Sequence, residues 1–354
     1  MRTNLILGLI PLYLCGCDRL LVRTDNLIRL NGPVETRVTG DLPPVSPVAG
    51  PLKPVIVRTG DPTTRVAVVD VDGLIMNTPF AGPGSVGENP VALFREKLDT
   101  IEADSCVRGV LLRVNSPGGG VAACAAMRHD LERFKARTRL PVVACLLDQG
   151  AGGAYYLASV ADQVVVTPAA VTGGIGVILN LFNLRDLMAQ FNVIPQPVKA
   201  GDLTDIGSST RALKPEEKEI LQAMADEFHK KMQADIRQSR PATNLNAGTT
   251  FDGRIFTGRQ AVSRGLADRV ADLDEAIDLA GQLGRPDCQL EQRPEAVLYR
   301  RSNDPARSIY AVTANIPLQG AGLLPNIPGL DRSKLPTFLS LWEPELTMEK
   351  LSGK

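Results

Sequence analysis

The chain has 354 residues, of which 44% are hydrophobic and 22% charged, so its composition is that of a folded protein and excludes disorder throughout. Its 39 basic residues balance its 39 acidic residues, which disfavours a nucleic-acid binder that works through a broad basic surface. It has only two histidines, His129 and His229, and this excludes a metal site built from several histidines. We predict no metal and no cofactor.

The N-terminus has the pattern of an export signal. Arg2 precedes a short apolar run, Leu5 to Leu14, which is too short to cross a bilayer as a helix. The sequence LCGC that ends at Cys17 resembles the bacterial lipobox, whose cysteine is acylated and becomes the new N-terminus. We therefore predict an exported bacterial lipoprotein, anchored to a membrane through Cys17 and facing the periplasm or the cell exterior. An ordinary signal peptide and a short uncleaved anchor are the alternatives.

Changes in composition divide the remaining chain into three segments. Residues 18–64 are rich in proline, glycine, threonine and valine, and we predict an extended Pro-rich tether there, because each proline removes a helix donor. Residues 65–285 carry the patterns of a folded domain. Residues 286–354 show little periodicity after Tyr310, and we expect a loosely ordered C-terminal tail.

Within the folded domain, apolar strands alternate with amphipathic helices. The predicted strands are Arg65–Val71, Val107–Val114, Pro141–Leu147 and Gln163–Val166. The predicted helices are Asn89–Ala103, Val121 to about Arg137, a short buried helix within Ala151–Val160, and a long helix from Pro215 to Arg237. Strands that are continuous runs of valine and leucine between helices indicate a sheet covered on both faces, so the fold class is α/β.

The long helix carries an apolar residue at every fourth position. We expect this stripe to pack the helix on the domain or on a partner subunit. Its members are Ile220, Met224, Phe228, Met232 and Ile236.

A glycine-rich turn, NSPGGG at Asn115–Gly120, joins a predicted strand to a predicted helix. Glycines let backbone N–H groups point outward unobstructed, and the helix N-terminus adds a partial positive charge. We therefore predict that Gly118 and Gly119 form an oxyanion hole, which would stabilise charge developing on a carbonyl oxygen. A plain tight turn is the alternative.

A second glycine-bearing turn precedes the short helix, and with it the chain resembles the signal peptide peptidase A family of serine peptidases from about Arg65 to Leu279. The motifs that carry the resemblance occur in family order: RVNSPGGG, GGAYYLASVADQVVVTP, TGGIGVI, VKAGDLTDIGSSTR and FDGRIFTGRQAVSRGLADRV. The resemblance implies a signal-peptide-peptidase-like domain of the Clp-protease/crotonase superfamily, built from repeated strand-strand-helix units. It also implies polypeptide substrates and ring-like oligomers at a membrane surface.

Members of that family use a Ser/Lys dyad, in which a neutral lysine takes the proton of the serine nucleophile. The serine opens a pattern like Ser-Gly-Gly/Ala-Tyr-Tyr, and here Gly152 stands at its position. The lysine lies in a pattern like Lys-x-Gly-x-x-Lys-Asp, and here Thr204 stands at its position. Both catalytic positions are thus substituted, although Gly152 is expected to accept a serine because serine is favoured at helix N-termini.

Three hypotheses follow. The first is a catalytically degenerate lipoprotein that binds a peptide or unfolded segment, as a homo-oligomer or in a hetero-oligomer with an active paralogue. The second is an active membrane-associated serine endopeptidase that cleaves signal-peptide remnants with a displaced or intersubunit nucleophile and base. The third, a crotonase-type enzyme acting on acyl thioesters, has no specific support. The residues weighed as stand-ins are Ser159, Lys199, Asp202, Asp205, Ser208 and Ser209.

Overall fold

The computed structural model describes residues 50–79, 88–241, 248–285, 293–302, 304–311 and 338–342. They all belong to the compact unit that begins at Pro47. The predicted signal, its lipobox residue Cys17 and most of the predicted tether lie outside the described residues. Within the described part of the chain, every helix is too short or too polar to cross a membrane.

The described residues form ten strands and seven helices. The strands are β1 (Lys53–Arg58), β2 (Asp61–Ile75), β3 (Val107–Gly120), β4 (Val142–Ala151), β5 (Gln163–Val166), β6 (Val171–Gly173), β7 (Ile255–Thr257), β8 (Arg269–Val270), β9 (Pro294–Arg300) and β10 (Leu339–Leu341). The helices are α1 (Pro90–Ala103), α2 (Val121–Thr138), α3 (Gly153–Ala158), α4 (Arg185–Gln190), α5 (Pro215–Ser239), α6 (Gly258–Ser263) and α7 (Leu273–Gly284).

The main sheet has the strand order β1-β9-β2-β3-β4-β5-β8. Strands β9, β2, β3, β4, β5 and β8 run parallel to one another, and β1 joins the edge antiparallel to β9. The end of β4 continues past this sheet to pair with β6, which in turn pairs with β7. The carboxyl ends of β3 and β4 therefore lie at the same end of the sheet, where each strand leads into a helix.

Helices cover both faces of the sheet, which confirms the predicted α/β class. On one face the sheet packs against the apolar sides of α1, α2 and α3, among them Phe94, Leu131 and Tyr155. On the other face it packs against α7 through Ile277 and Ala280. The alternation of side chains along each strand divides the apolar residues between these two cores.

The predicted helices and strands are confirmed, and their ends have local causes. Asn89 caps α1, because its side-chain oxygen accepts from the backbone N–H groups of Val91 (3.0 Å) and Ala92 (3.3 Å). Pro90 occupies the first turn of that helix, where its missing N–H costs no hydrogen bond. The short helix over 151–160 is limited to Gly153–Ala158, all six residues of which are buried.

Two domain boundaries predicted from the sequence are wrong. Strand β9 lies inside the expected C-terminal tail, yet it sits between β1 and β2 and all seven of its residues are buried. Strand β1 lies inside the expected tether and forms the edge of the same sheet. The folded domain therefore extends on both sides of the predicted range 65–285, because two sequence-distant strands pair with each other at one sheet edge.

The apolar stripe of α5 packs along only part of its length. Met232 and Ile236 are buried, whereas Ile220 and Met224 are 42% and 40% exposed. Arg128 links α2 to the C-terminal half of α5, because its guanidinium donates to the carbonyl of Asp235 (3.2 Å) and to Ser239 Oγ (2.5 Å). The first half of the helix leaves its apolar side uncovered in this chain.

Candidate functional site

The NSPGGG turn forms the last residues of β3, and Gly120 is the residue that precedes α2. The turn is held in place by Ser116, whose hydroxyl donates to the carbonyl of Gly73 (2.6 Å) and accepts from the N–H of Gly118 (3.1 Å). The N–H of Gly118, expected to point toward a ligand carbonyl, is therefore already bonded within the turn. Gly119 lies so close to β2 that a Cβ there would be 1.9 Å from the carbonyl oxygen of Ile75.

The described part of the C-terminal segment lies against this turn. Strand β10 pairs antiparallel with the end of β3, so that Ser340 faces Gly119. On its other side, Leu339 exchanges two backbone hydrogen bonds with Ile178, at 2.8 and 3.0 Å. The expectation of a loosely ordered tail is thus wrong for residues 338–342 as well, since they form the middle strand of a three-stranded arrangement.

The pairing brings a peptide carbonyl to the glycine turn. Val121 N donates to the carbonyl of Phe338 (3.2 Å) and Trp342 N to that of Pro117 (2.9 Å). Hydrogen-bonded pairs alternate along an antiparallel ladder, so Ser340 and Gly119 form the hydrogen-bonded pair between these two, and Gly119 N–H donates to the Ser340 carbonyl.

Gly118 makes room for this carbonyl. Its φ is +105°, which side chains rarely adopt. A Cβ at Gly118 would lie 2.1 Å from the carbonyl oxygen of Ser340 and 2.7 Å from the backbone nitrogen of Gly153. Gly118, Gly119 and Gly153 thus surround one peptide carbonyl, with Gly119 as the donor that the ladder identifies. Of the two predicted oxyanion residues, Gly118 provides space and Gly119 provides the N–H.

Gly152 connects β4 to α3 beside this carbonyl. Its backbone has φ +56° and ψ −127°, and its N–H donates to the carbonyl of Gly173 at 2.9 Å. An L-residue in this conformation is strained by about 1–3 kcal/mol. The expected preference for serine at a helix N-terminus is therefore opposed by the backbone conformation of this residue, which L side chains rarely adopt.

Thr204 lies in an exposed turn between α4 and α5. Its hydroxyl donates to the carbonyls of Ala200 (2.8 Å) and Gly201 (3.0 Å), within the same turn. Among the hydrogen bonds of the described residues, none joins Thr204 to Gly152 or to Gly118–Gly120. The threonine hydroxyl is thus occupied locally and has no basic group to offer.

An ionic network fixes the segment around Thr204. Lys199 donates to Asp205 (2.6 Å), and Arg211 bridges Asp205 (2.8 Å) and Glu217 (2.6 Å). Hydrogen bonds from Arg211 and Lys199 hold the pKa of Asp205 well below its usual range. Asp205 therefore remains the ionised partner of both Lys199 and Arg211.

Of the serines weighed as stand-ins, Ser159 and Ser208 have hydroxyls that are bonded elsewhere, and Ser209 is held through its backbone. Ser159 is buried, accepts from Arg128 (2.8 Å) and donates to the carbonyl of Tyr156 (2.9 Å), so it supports packing under α3. The hydroxyl of Ser208 pairs with that of Thr210 at 2.9 Å. The carbonyl of Ser209 accepts from Leu184 N (2.7 Å).

A cavity of about 420 Å³ lies beside β10, between the start of α2 and the packed half of α5. Phe338 enters it and stacks edge-to-face on Phe228, with ring centroids 5.0 Å apart. Ser340 also faces it, and its hydroxyl lies 3.4 Å from Met232 Sδ. Cys124 forms part of the wall, and burial raises the pKa of its thiol to about 12, so it is not an activated nucleophile. Sequence reasoning missed this pocket, because its walls come from five separate segments of the chain.

Comparison with known proteins relates the chain to a peptidase family. Residues 135–285 match the model of peptidase family S49. The chain is 30% identical over 220 residues to Protease 4 of Salmonella typhi, and 28% identical over 219 residues to an Enterococcus faecium protein named as a signal peptide peptidase SppA. It is 31% identical over 200 residues to a Synechocystis protein named as a protease, of which it covers 71%.

These matches cover 62%, 62% and 56% of this chain, and the first two cover 35% of the Salmonella protein and 63% of the Enterococcus protein. The range of the family model, 135–285, includes β4 and α3, the elements on either side of Gly152. The parallel sheet covered by helices on both faces agrees with the Clp-protease/crotonase-like fold. Motifs, fold and relatives therefore agree that the chain belongs to peptidase family S49, among its SppA-like serine peptidases.

Proposed function

We propose that this chain is a catalytically degenerate family S49 lipoprotein that binds extended polypeptide segments, by itself or as the partner of an active paralogue. The observation that carries the proposal is Gly152, which stands at the family's nucleophile position and offers no side chain to attack a carbonyl. Without a nucleophile the covalent path through an acyl-enzyme is closed.

The position of the family base supports the same reading. Thr204 has no group that takes a proton at neutral pH, and its hydroxyl is bonded within its own turn. The neighbouring Lys199 is held in an ion pair with Asp205. One substitution could be a local change without consequence for function. Substitution at both positions that the reaction requires supports loss of catalysis.

Peptide binding is supported by the half of the site that is intact. Gly119 and Ile178 offer backbone hydrogen bonds to the two sides of an extended strand, which is how a peptide is added to a sheet edge. The same glycine turn would stabilise a carbonyl oxygen as an oxyanion hole in an active relative. In this chain it serves to bind and orient a peptide carbonyl.

Membrane attachment and oligomerisation belong to the proposal. The lipobox-like sequence at Cys17 supports a lipid anchor and an exported location. Loss of metabolic lipid labelling in Cys17→Ser would confirm the anchor, whereas unchanged labelling would refute it.

Exposed apolar side chains on the segment after β6 and on the first half of α5 support a subunit interface. They include Phe191, Ile194, Val198, Ile220 and Met224. A monodisperse monomer at micromolar concentration would contradict this interface.

The test of degeneracy is an assay of the purified full chain on an unfolded protein and on a signal-peptide-like substrate. We expect cleavage at the level of a protein-free blank, while an active S49 protease assayed in parallel cleaves both. Cleavage that co-purifies with the chain and is abolished by Ser208→Ala or Ser209→Ala would overturn the proposal and identify a displaced nucleophile.

A further inference from the structure

Residues 338–342, called the cleft segment below, occupy the place of a bound peptide. The segment lies between the end of β3 and Ile178, and the carbonyl of its central residue, Ser340, reaches the glycine turn. We propose that the cleft segment is a built-in occupant that a peptide with a large apolar residue at the Ser340 position displaces. This inference rests on the proposed peptide-binding function and adds its regulation and its ligand class.

The backbone of the cleft segment is hydrogen-bonded on both sides. Phe338, Ser340 and Trp342 face β3 through the alternating pairs of the ladder, and Leu339 faces Ile178. Beyond the ladder, the side chain of Gln149 donates to the carbonyl of Trp342 (3.0 Å). A peptide in the same place would make these same backbone bonds, so it cannot bind until the segment leaves.

The side chains of Phe338 and Ser340 both face the pocket, but only Phe338 fills its part of it. Phe338 fills its part of the pocket against Phe228. Ser340 is 2% exposed and turned into the same pocket, yet it contributes only a small hydroxyl there. A cavity of about 420 Å³, with a wall that includes Val121, Met232 and Tyr156, remains beside it.

Because Ser340 is too small for the cavity beside it, a peptide with a larger side chain at this position can displace the cleft segment. A leucine or phenylalanine at the Ser340 position would bury apolar surface that serine cannot, which strengthens binding about tenfold or more. The rest of the wall is mostly apolar, so a lysine there would have to lose the hydration of its ammonium without a partner in the pocket, because Lys231 is already paired with Asp235. The competing ligand is therefore an extended apolar segment, with its large side chain in the pocket and its carbonyl at Gly119.

The chain carries its own probes for release of the segment. Trp342 is the single tryptophan of the sequence and lies at the end of the segment, so its emission reports whether the segment is docked. Cys124 is 1% exposed in the wall of the pocket and should react with a maleimide when the pocket opens. Cys106 is exposed, and Cys145 is buried in the opposite core, so these two report reagent activity and global unfolding.

The first experiment uses the full chain and three substitutions at one position. Ser340→Pro removes the N–H that pairs with Gly119, and we expect red-shifted Trp342 emission and at least tenfold faster alkylation of Cys124, with Cys145 unchanged. Ser340→Ala keeps the backbone and should behave like the wild type. Ser340→Leu fills the pocket and should slow alkylation of Cys124 below the wild-type rate. Wild-type behaviour of both Ser340→Pro and Ser340→Leu would overturn the proposal.

The second experiment adds tryptophan-free peptides, acetyl-Thr-Phe-Leu-Xaa-Leu-amide, to the wild type and follows Trp342 emission. With leucine at Xaa, half-displacement should need about tenfold less peptide than with serine, and lysine should give none. Equal potency of the three peptides, or no shift with any of them, would overturn the proposal. Ser340→Pro is tested without any peptide or substrate, so its result is independent of whether the protein proves to cleave polypeptides.

Discussion

The two halves of the family's catalytic site differ in how tightly this chain holds them. The nucleophile side, formed by the ends of β3 and β4 and by α3, is buried and closely packed, and its glycines approach neighbouring backbone. The base side, around Thr204, is an exposed turn held by ion pairs. The difference shows that the position of the family nucleophile depends on close packing, whereas the position of the family base depends on ion pairs at the surface.

The two halves should respond very differently to the same small change. Gly119→Ala would place a Cβ 1.9 Å from the carbonyl oxygen of Ile75, which neither strand can avoid, so we expect a loss of at least about 3 kcal/mol in the free energy of unfolding. Gly201→Ala on the base side meets only Thr204 Oγ1, at 2.9 Å, and should cost about 1 kcal/mol because its φ of +91° is strained. Urea unfolding measures both, and equal losses would contradict the contrast.

The strand next to the packed half should also make stability depend on pH. Asp72 lies on β2 opposite Asn115 of β3, and burial, followed by the charge of Asp70, raises its pKa to about 6. The folded protein thus holds this proton more tightly than the unfolded chain, whose pKa is near 3.8. Its contribution to stability therefore falls as the pH rises from about 4 to about 6 and stays low above that.

Asp72→Asn removes this titration. We expect the variant to be more stable than the wild type by roughly 2–3 kcal/mol at pH 8, with the advantage shrinking toward zero near pH 4. Urea unfolding at several pH values gives the measurement. Asp99, an exposed carboxylate of α1, provides the matched control, since Asp99→Asn should change stability little at any pH. A constant difference between Asp72→Asn and wild type across this range would refute the raised pKa.

Restoring the nucleophile should be costly by itself. Gly152→Ser forces an L-residue into φ +56° and ψ −127°, and we expect a loss of about 1–3 kcal/mol. Thr204→Lys, on the exposed base side, should change stability by less than about 1 kcal/mol. Thermal or urea unfolding of the two single variants checks the order, and a Gly152→Ser protein as stable as the wild type would show that the conformation is not strained.

Sequence reasoning predicted what depends on local pattern. The bounds of α1 and α2 follow from capping and periodicity, and the positions Gly152 and Thr204 follow from motifs read in order. The glycine turn was located correctly, yet the bond from Gly118 to Ser116 was not foreseen, because it depends on how the turn folds back toward Gly73.

What sequence reasoning missed depends on partners far along the chain. Strand β9 has a strand-like run, but its burial depends on pairing with β1 and β2, more than 200 residues away in sequence. Strand β10 has only three residues, and no short pattern indicates that it joins the cleft. The exposed first half of α5 carries the same four-residue stripe as the packed half, so the stripe alone could not separate them.

The central claim is that this chain has the family fold but no activated nucleophile. It is tested most directly with a fluorophosphonate probe, which labels only an activated serine. Wild type, the two single variants and the double variant Gly152→Ser/Thr204→Lys are incubated with the probe and the modified residue is located by mass spectrometry. We predict no label on the wild type or on either single variant, because nucleophile and base act as a unit and each of these proteins lacks at least one of them. Label at position 152 in the double variant would show in addition that a lysine on the exposed base side reaches the serine in the assembled protein. A labelled serine in the wild-type protein would contradict the account.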